Sequence, residues 1–431
     1  MKSLRVATHD TFRSLSVRNF RLFFTGQLIS QVGNWLTLVA QALLVYNLTH
    51  NGIALGALAA AQFGPVLVIG PWAGLVADRS DKRKLLLIIQ TIAMAQSFTL
   101  AALVFSGHPP VLAIYGVAFI GGLTVAFDNP ARRSFVVEMV PKDDMTNAVS
   151  LNSALMTSSR VVGPALAGAL IVTVGFGWCF LVDGLSYLAV LAALWMMHTE
   201  ELWPAPITAR AKGQVRQGLR YARSVPELWV PLVMMAVVGT LSYNFQTVFP
   251  VFAERSLHGS ATTFTVLFSV VSVGALVGAL AVARRKRISV RTVALTAVGY
   301  GAAMALMAVA PNQPLAFAAA PFLGLASIAF LTASTAIVQI ESAPQMRGRV
   351  LALQAMLFLG STPIGGPIVG WVAQEYGARY AIGVGAVAAL LAGAVGLLKA
   401  RRMAAKPVDA AAAVNVAIDE LDDFDLQPAS T

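Results

Sequence analysis

The chain has 431 residues, 57% of them hydrophobic and only 12% charged, with a formal net charge of +11. A typical soluble chain carries about 25% charged residues, so there are too few polar faces here to cover a large soluble helical core. The basic residues lie in the gaps between apolar runs, with no aromatic-basic module or recognition helix among them. That excludes nucleic-acid binding as the reason for the charge.

The single cysteine, Cys179, and five scattered histidines offer no disulfide framework and no metal-ligand spacing. The chain begins with a polar segment, Met1 to Asn19, and the first apolar run is too long for a cleaved signal peptide. The stretch from Phe12 to Phe20 reads either as a short amphipathic approach in the membrane interface or as a frayed tail.

Twelve apolar runs follow, each at least the roughly 20 residues needed to cross a hydrocarbon core of about 30 Å, with the first, fifth, seventh and eleventh longer. They fall at roughly 21–47, 54–77, 85–106, 111–131, 146–174, 177–198, 227–253, 263–283, 289–310, 314–338, 347–374 and 378–399. The expected fold is all-α and integral to the membrane, with twelve transmembrane helices in two six-helix bundles. The divisions are an N-terminal segment 1–20, a first bundle 21–198, a linker 199–226, a second bundle 227–399 and an acidic tail 400–431. Within the linker, Val215 to Arg223 has the pattern of an amphipathic helix on the membrane face. With both termini placed in the cytoplasm, 28 of the 31 Lys and Arg residues lie on the inner side. The outer gaps hold only Arg255 and Arg379, which is the asymmetry of the positive-inside rule.

An internal repeat supports two bundles of the same orientation. Gly121, Glu138, Pro141 and Gly163-Pro164 recur as Gly324, Glu341, Pro344 and Gly366-Pro367, an offset of 203 residues. Gly70 and Gly74 recur as Gly274 and Gly278 at an offset of 204. Gly163, Pro164 and Gly168, like Gly366, Pro367 and Gly370, provide close helix packing and local bending.

The charged break between the second and third runs holds six charged residues in seven positions, 78–84. Its counterpart, Gly278 to Arg287, has Val282 where Asp78 would align. Arg160 lies about 14 residues into the fifth run, near mid-membrane at ~1.5 Å rise per residue, and an intramembrane charge is a functional candidate by default. Asp183 is its potential partner by charge. Asp128 is placed to pair with Arg132 or with the Asp78 loop. These two acids are the carboxylates available for proton coupling. Gln27, Gln31, Asn34, Gln62, Tyr243, Asn244 and Gln246 are candidates for polar contacts in a large pocket, and ordinary span packing is the competing account of each.

The segment Gly74-Leu75-Val76-Ala77-Asp78-Arg79-Ser80-Asp81-Lys82-Arg83 resembles the signature of the major facilitator superfamily between spans two and three. Gly163-Pro164-Ala165-Leu166-Ala167-Gly168 is similar to the superfamily's antiporter-associated element. Arg18-Asn19-Phe20-Arg21, Gln27, Asn34, Trp35, Asn129-Pro130-Ala131-Arg132-Arg133, Asn147-Ala148 and Arg347-Gly348-Arg349 resemble the drug and siderophore branch that holds macrolide exporters and the enterobactin exporter.

The resemblance implies secondary export of a bulky amphipathic molecule by proton antiport with alternating access, from a monomer in the bacterial inner membrane, with no cofactor and no enzyme chemistry. Inward movement or lysophospholipid flipping is the alternative within transport, and a membrane scaffold or sensor the alternative outside it. The resemblance also implies an inner gate of Gly74, Asp78, Arg79 and Arg83 against Arg347 and Arg349. Some members of the branch carry an acid near Asn34, where this chain has none, so their coupling chemistry does not transfer directly.

Overall fold

The computed structural model describes residues 12–203, 214–283 and 288–404. The acidic tail, the middle of the linker and the Arg284–Arg287 basic cluster lie outside those residues, as does the Val282 side chain. The described part is all-α, with no β-strand. The first half holds α1 (Arg18–Thr49), α2 (Gly52–Arg79), α3 (Lys82–Phe105), α4 (Val111–Glu138), α5 (Met145–Thr173) and α6 (Phe176–Trp195). A short amphipathic helix, α7 (Gln214–Ser224), precedes the second half. The second half comprises α8 (Pro226–Leu241), α9 (Phe245–Val251), α10 (Ala261–Ala283), α11 (Val290–Val309), α12 (Gln313–Glu341), α13 (Pro344–Leu359), α14 (Thr362–Glu375) and α15 (Ala378–Ala404).

Twelve helical segments in this set are long and apolar enough to cross a membrane. Two of them are broken. The seventh, Pro226–Ser256, is made of α8, α9 and a π-helical turn over Phe252–Ser256, and the eleventh, Gln345–Glu375, of α13 and α14. The connections are set by local chemistry. After α1 the chain reverses at His50, whose φ of 47° is left-handed, and the Asn51 side chain then accepts from the Ile53 amide to start α2. Asp81 caps α3 in the same way through the Lys84 amide, since the first turn of a helix has amides with no intrahelical acceptor. Arg13–Ser16 forms a 3-10 turn rather than a frayed end. Its Ser14 amide donates to the Asn147 side chain (3.0 Å), and Arg13 pairs with Asp144.

Within the first half, α1 packs on α5 and α6, α2 on α4, and α3 on α4 and α6. Within the second, α10 packs on α12 and α11 on α12 and α15. The halves meet along two main seams, α2 against α14 and α5 against α10. Each seam is built where a side chain has no room. A Cβ on Gly56 would stand 2.7 Å from the Pro367 Cα, and one on Gly370 would stand 2.4 Å from the Gly52 carbonyl oxygen.

Candidate transport site

The first half holds a partly open polar cavity of about 80 Å³ lined by, among others, Gln31, Asn34, Gln62, Asp128, Arg132 and Asp183. That is room for a handful of water molecules, not for a bulky cargo. Asp128 resolves its two possible partners in favour of Arg132, one turn along α4, and Gln90 donates to its other oxygen (2.8 Å). With its amide oxygen turned toward α4, Gln31 accepts from Arg132 Nη2 (3.0 Å). In the opposite amide orientation Gln31 Nε2 instead donates to Gln27 Oε1, one turn back on α1 (3.2 Å). Gln62 donates to the Gln41 amide oxygen (2.7 Å).

Asp183 sits deeper, 1% exposed. Its Oδ2 accepts from the hydroxyls of Thr37 (2.6 Å) and Ser97 (2.7 Å), while Oδ1 has no hydrogen-bond partner among the described residues. The pairing of Asp183 with Arg160 expected from charge does not form. Asp183 is enclosed by α1 and α3, whereas Arg160 leaves α5 on a different side. Arg160 is exposed, and its guanidinium lies 5.9 Å from the centre of the Trp35 ring. Its carbonyl accepts from the Ser272 hydroxyl of α10 (3.4 Å). Arg133 of α4 and Tyr243 lie within electrostatic range of it. Arg160 is thus mid-span and exposed, with Trp35 of its own half and Ser272 and Tyr243 of the other half near it. No carboxylate pairs with it among the described residues.

One turn on, Gly163 admits Trp35 so closely that a Cβ would stand 2.2 Å from the tryptophan Cβ, and Gly168 admits Thr265 of α10. Pro164 lies within α5 and Pro367 within α14. On the second seam Gly366 faces Ala59 and Gly56.

The pocket residues of the seventh span sit at its break. The Tyr243 hydroxyl donates to the Ser327 carbonyl, and the Asn244 amide donates to the Thr240 carbonyl (2.7 Å), so both are engaged in holding the backbone. Ser242 donates to the Gly385 carbonyl (2.8 Å) and its own carbonyl accepts from Tyr300 (2.9 Å). Tyr300 and Ser242 carry no motif that sequence reading could have used. Gln246 lies just past the break, half-buried.

The two ends of the molecule differ. At the His50 end, His50 meets Glu254 (3.0 Å), Arg255 donates to the His50 carbonyl (2.6 Å), and Gln374 accepts from the Gly52 amide (2.9 Å). All three contacts cross between halves, and none was visible as a motif. At the opposite end, where the described residues begin and end, the described candidate gate residues bond within their own half. Arg83 donates to the Leu194 carbonyl (2.7 Å), Lys82 pairs with Glu138 (2.7 Å), and Arg349 donates to Gln217 of α7 (2.8 Å). Arg79 and Arg347 are exposed and Gly74 is half-buried. The Asp78 backbone lies in the last turn of α2, and its side chain lies outside the described residues.

Two membrane-embedded halves, joined along two helix seams and, among the described residues, linked by polar contacts at the His50 end, have the two-bundle architecture of a membrane transporter. Residues 9–428 match the family model for the transmembrane secretion effector, a major facilitator group. The chain belongs to that family: it is a multi-pass membrane transport protein, a secondary transporter of small molecules and not an enzyme.

It is 23% identical over 360 residues to the staphyloferrin A transporter of Staphylococcus aureus, covering 83% of this chain and 90% of that one. It is 28% identical over 379 residues to the multidrug efflux pump Tap of Mycolicibacterium fortuitum, covering 83% and 89%. Macrolide efflux protein A of Streptococcus pyogenes is 21% identical over 359 residues, covering 80% and 87%. Among solved structures, a bacterial homolog of the human lysosomal transporter Spinster, inward-facing and unoccupied, aligns with TM-score 0.69 at 15% identity over 90% of this chain and 99% of that one. A POT family transporter in complex with 5-aminolevulinic acid aligns with TM-score 0.74 at 8% identity over 89% and 96%. At these identities the two structures speak to the fold alone.

Proposed function

We propose that the protein exports a bulky amphipathic small molecule across the bacterial inner membrane by proton antiport, as a monomer with both termini in the cytoplasm. The cargo route is the space between the halves, bordered by Arg160, Trp35 and Tyr243, and the proton site is Asp183, with Asp128 and Arg132 beside it in the first-half cavity. On this orientation the His50 end is extracellular, and the present state is closed outward and open to the cytoplasm.

The observation that carries the reading is the contrast between two compartments. Asp183 has hydroxyl partners on one oxygen and none on the other, in a cavity sized for water. Such a carboxyl can exchange a proton without breaking an ion pair. The inter-half face, in contrast, offers a cation and an aromatic ring at mid-membrane. The named activities of the efflux relatives support export.

The test is flux in proteoliposomes with pH and voltage gradients set independently, using macrolides, siderophores and cationic dyes as cargo. Uptake into inside-out vesicles that ends when the pH gradient is collapsed supports the reading. Flux driven in the opposite direction, or flux indifferent to the pH gradient, removes it.

A further inference from the structure

The mid-membrane charges divide unevenly between the two compartments. Asp128 is neutralised by Arg132, and Asp183 is shut behind Thr37 and Ser97 in the first-half cavity. What remains toward the space between the halves is Arg160, with Arg133 adding to the same positive field and Tyr243 the ionisable group from the second half. A cation at mid-membrane is costly and is normally offset by a paired acid or a ligand. Here the chain supplies no carboxylate to Arg160 among the described residues.

The side chain is nevertheless held in place. The guanidinium lies 5.9 Å from the centre of the Trp35 ring, and the Trp35 Cβ packs closely against the Gly163 backbone. A guanidinium at cation-π distance from a ring, with no carboxylate partner among the described residues, keeps its planar N–H fork free to bind an oxyanion with two parallel bonds.

We infer that Arg160 on Trp35 is the anchor for an acidic group of the cargo, a carboxylate or sulfonate, so that the protein's substrates are amphipathic organic anions. This rests on the reading that the inter-half space is the cargo route. It narrows the cargo by charge: the acidic group seats on Arg160, and the apolar body lies against Trp35 and the aromatic cluster of Tyr243, Phe245 and Phe358 across the gap. Cationic drugs of the same size are disfavoured by Arg160 and Arg133 together.

The test measures binding without any gradient, on the full chain in nanodiscs. Fluorescein, an anion, and rhodamine 6G, a cation with the same xanthene core, are titrated by fluorescence anisotropy. Fluorescein should bind at least tenfold more tightly than rhodamine 6G. Arg160→Gln should weaken fluorescein by about tenfold or more, the scale of one charged hydrogen-bonded contact, with Arg160→Lys intermediate and rhodamine 6G not weakened.

A competition run on the unaltered chain keeps the test independent of how the variants fold. Benzenesulfonate should displace fluorescein, and benzyltrimethylammonium should not. A cation preference in the unaltered chain, binding of neither dye, displacement by the ammonium compound, or an unchanged dye ratio in folded Arg160→Gln would each overturn the inference. Absent flux with the anion preference intact would sink the transport reading and leave the anion site standing. Intact flux with a cation preference would sink the anion site alone.

Discussion

The α2–α14 seam gives the sharpest lever on the conformational balance. In Gly56→Ala the added Cβ would stand 2.7 Å from the Pro367 Cα, 2.8 Å from the Gly366 carbonyl oxygen and 3.1 Å from the Gly366 carbonyl carbon. All three are backbone atoms, so no rotamer change can relieve the clash. Carbon contacts relax at about 3.5–4.0 Å, so the helices must part by roughly 1 Å at the tied end. Overpacking of this kind costs about 1–3 kcal/mol, and the cost falls on the state in which that end is closed. The ratio of open to closed should therefore rise by about 5- to 150-fold.

Spin labels on Leu112→Cys and Tyr380→Cys, at 81% and 69% exposed positions near the start of α4 and of α15, report on the His50 end. The native Cys179 is buried and leaves the labelling to the introduced pair. The distance distribution should gain a longer component in Gly56→Ala. Gly64→Ala is the matched control on the same helix, because its Cβ would meet nothing within 4 Å. An unchanged distribution in Gly56→Ala, or an equal change in Gly64→Ala, would refute the idea that this seam holds the end shut.

Three further outcomes follow from the polar contacts. Asp183→Asn keeps an oxygen to accept from Thr37 and Ser97, so thermal stability should hold while flux driven by a pH gradient is lost; unchanged gradient-driven flux would remove Asp183 as the proton site. Asp128→Ala strands the Arg132 guanidinium in the cavity, where breaking a buried pair costs about 3–5 kcal/mol; thermal unfolding in detergent should fall steeply, and more than in Arg132→Ala/Asp128→Ala if the penalty is the orphaned charge. Glu254→Gln removes a pair whose side chains are 58% and 43% exposed, worth at most about 1 kcal/mol. Its effect on the spin-label distances should be clearly smaller than that of Gly56→Ala, and a larger one would shift the closure from the seam to the latch.

The twelve spans were legible because hydropathy over about 20 residues is a local property, and α2, expected over 54–77, runs over Gly52–Arg79. Arg160 stood out for the same reason, since one charge in a long apolar run is conspicuous. Its surroundings were not legible, because charge alone nominated Asp183 and the helix faces point the two apart. The break of the seventh span was equally hidden. No glycine or proline marks Ser242–Asn244; the break is held by Tyr300 and Gly385, which are 58 and 143 positions away. The polar contacts across the His50 end involve Glu254 and Gln374, at separations of 204 and 322, and nothing in either segment announces its partner.

The repeated Gly-Pro element accounts for the close inter-half packing near the His50 end. Its first-half copy sits on α5, where Gly168 receives Thr265 of α10, and its second-half copy on α14, where Gly370 receives Gly52 of α2. Both contacts lie in the last turns of the helix that carries the glycine and near the start of the helix it meets, so both seams are tight toward His50. Toward the opposite end α2 loses that intimacy: Gly70 meets nothing within 4 Å, and Arg79 is exposed. Arg160 falls between these regimes, at the level where its carbonyl still touches α10 through Ser272. Rocking the halves about that level would tighten one end only by loosening the other. A side chain at the pivot would keep its place against Trp35 while the access to it changed sides, which is the geometric requirement on a residue that holds cargo in both states.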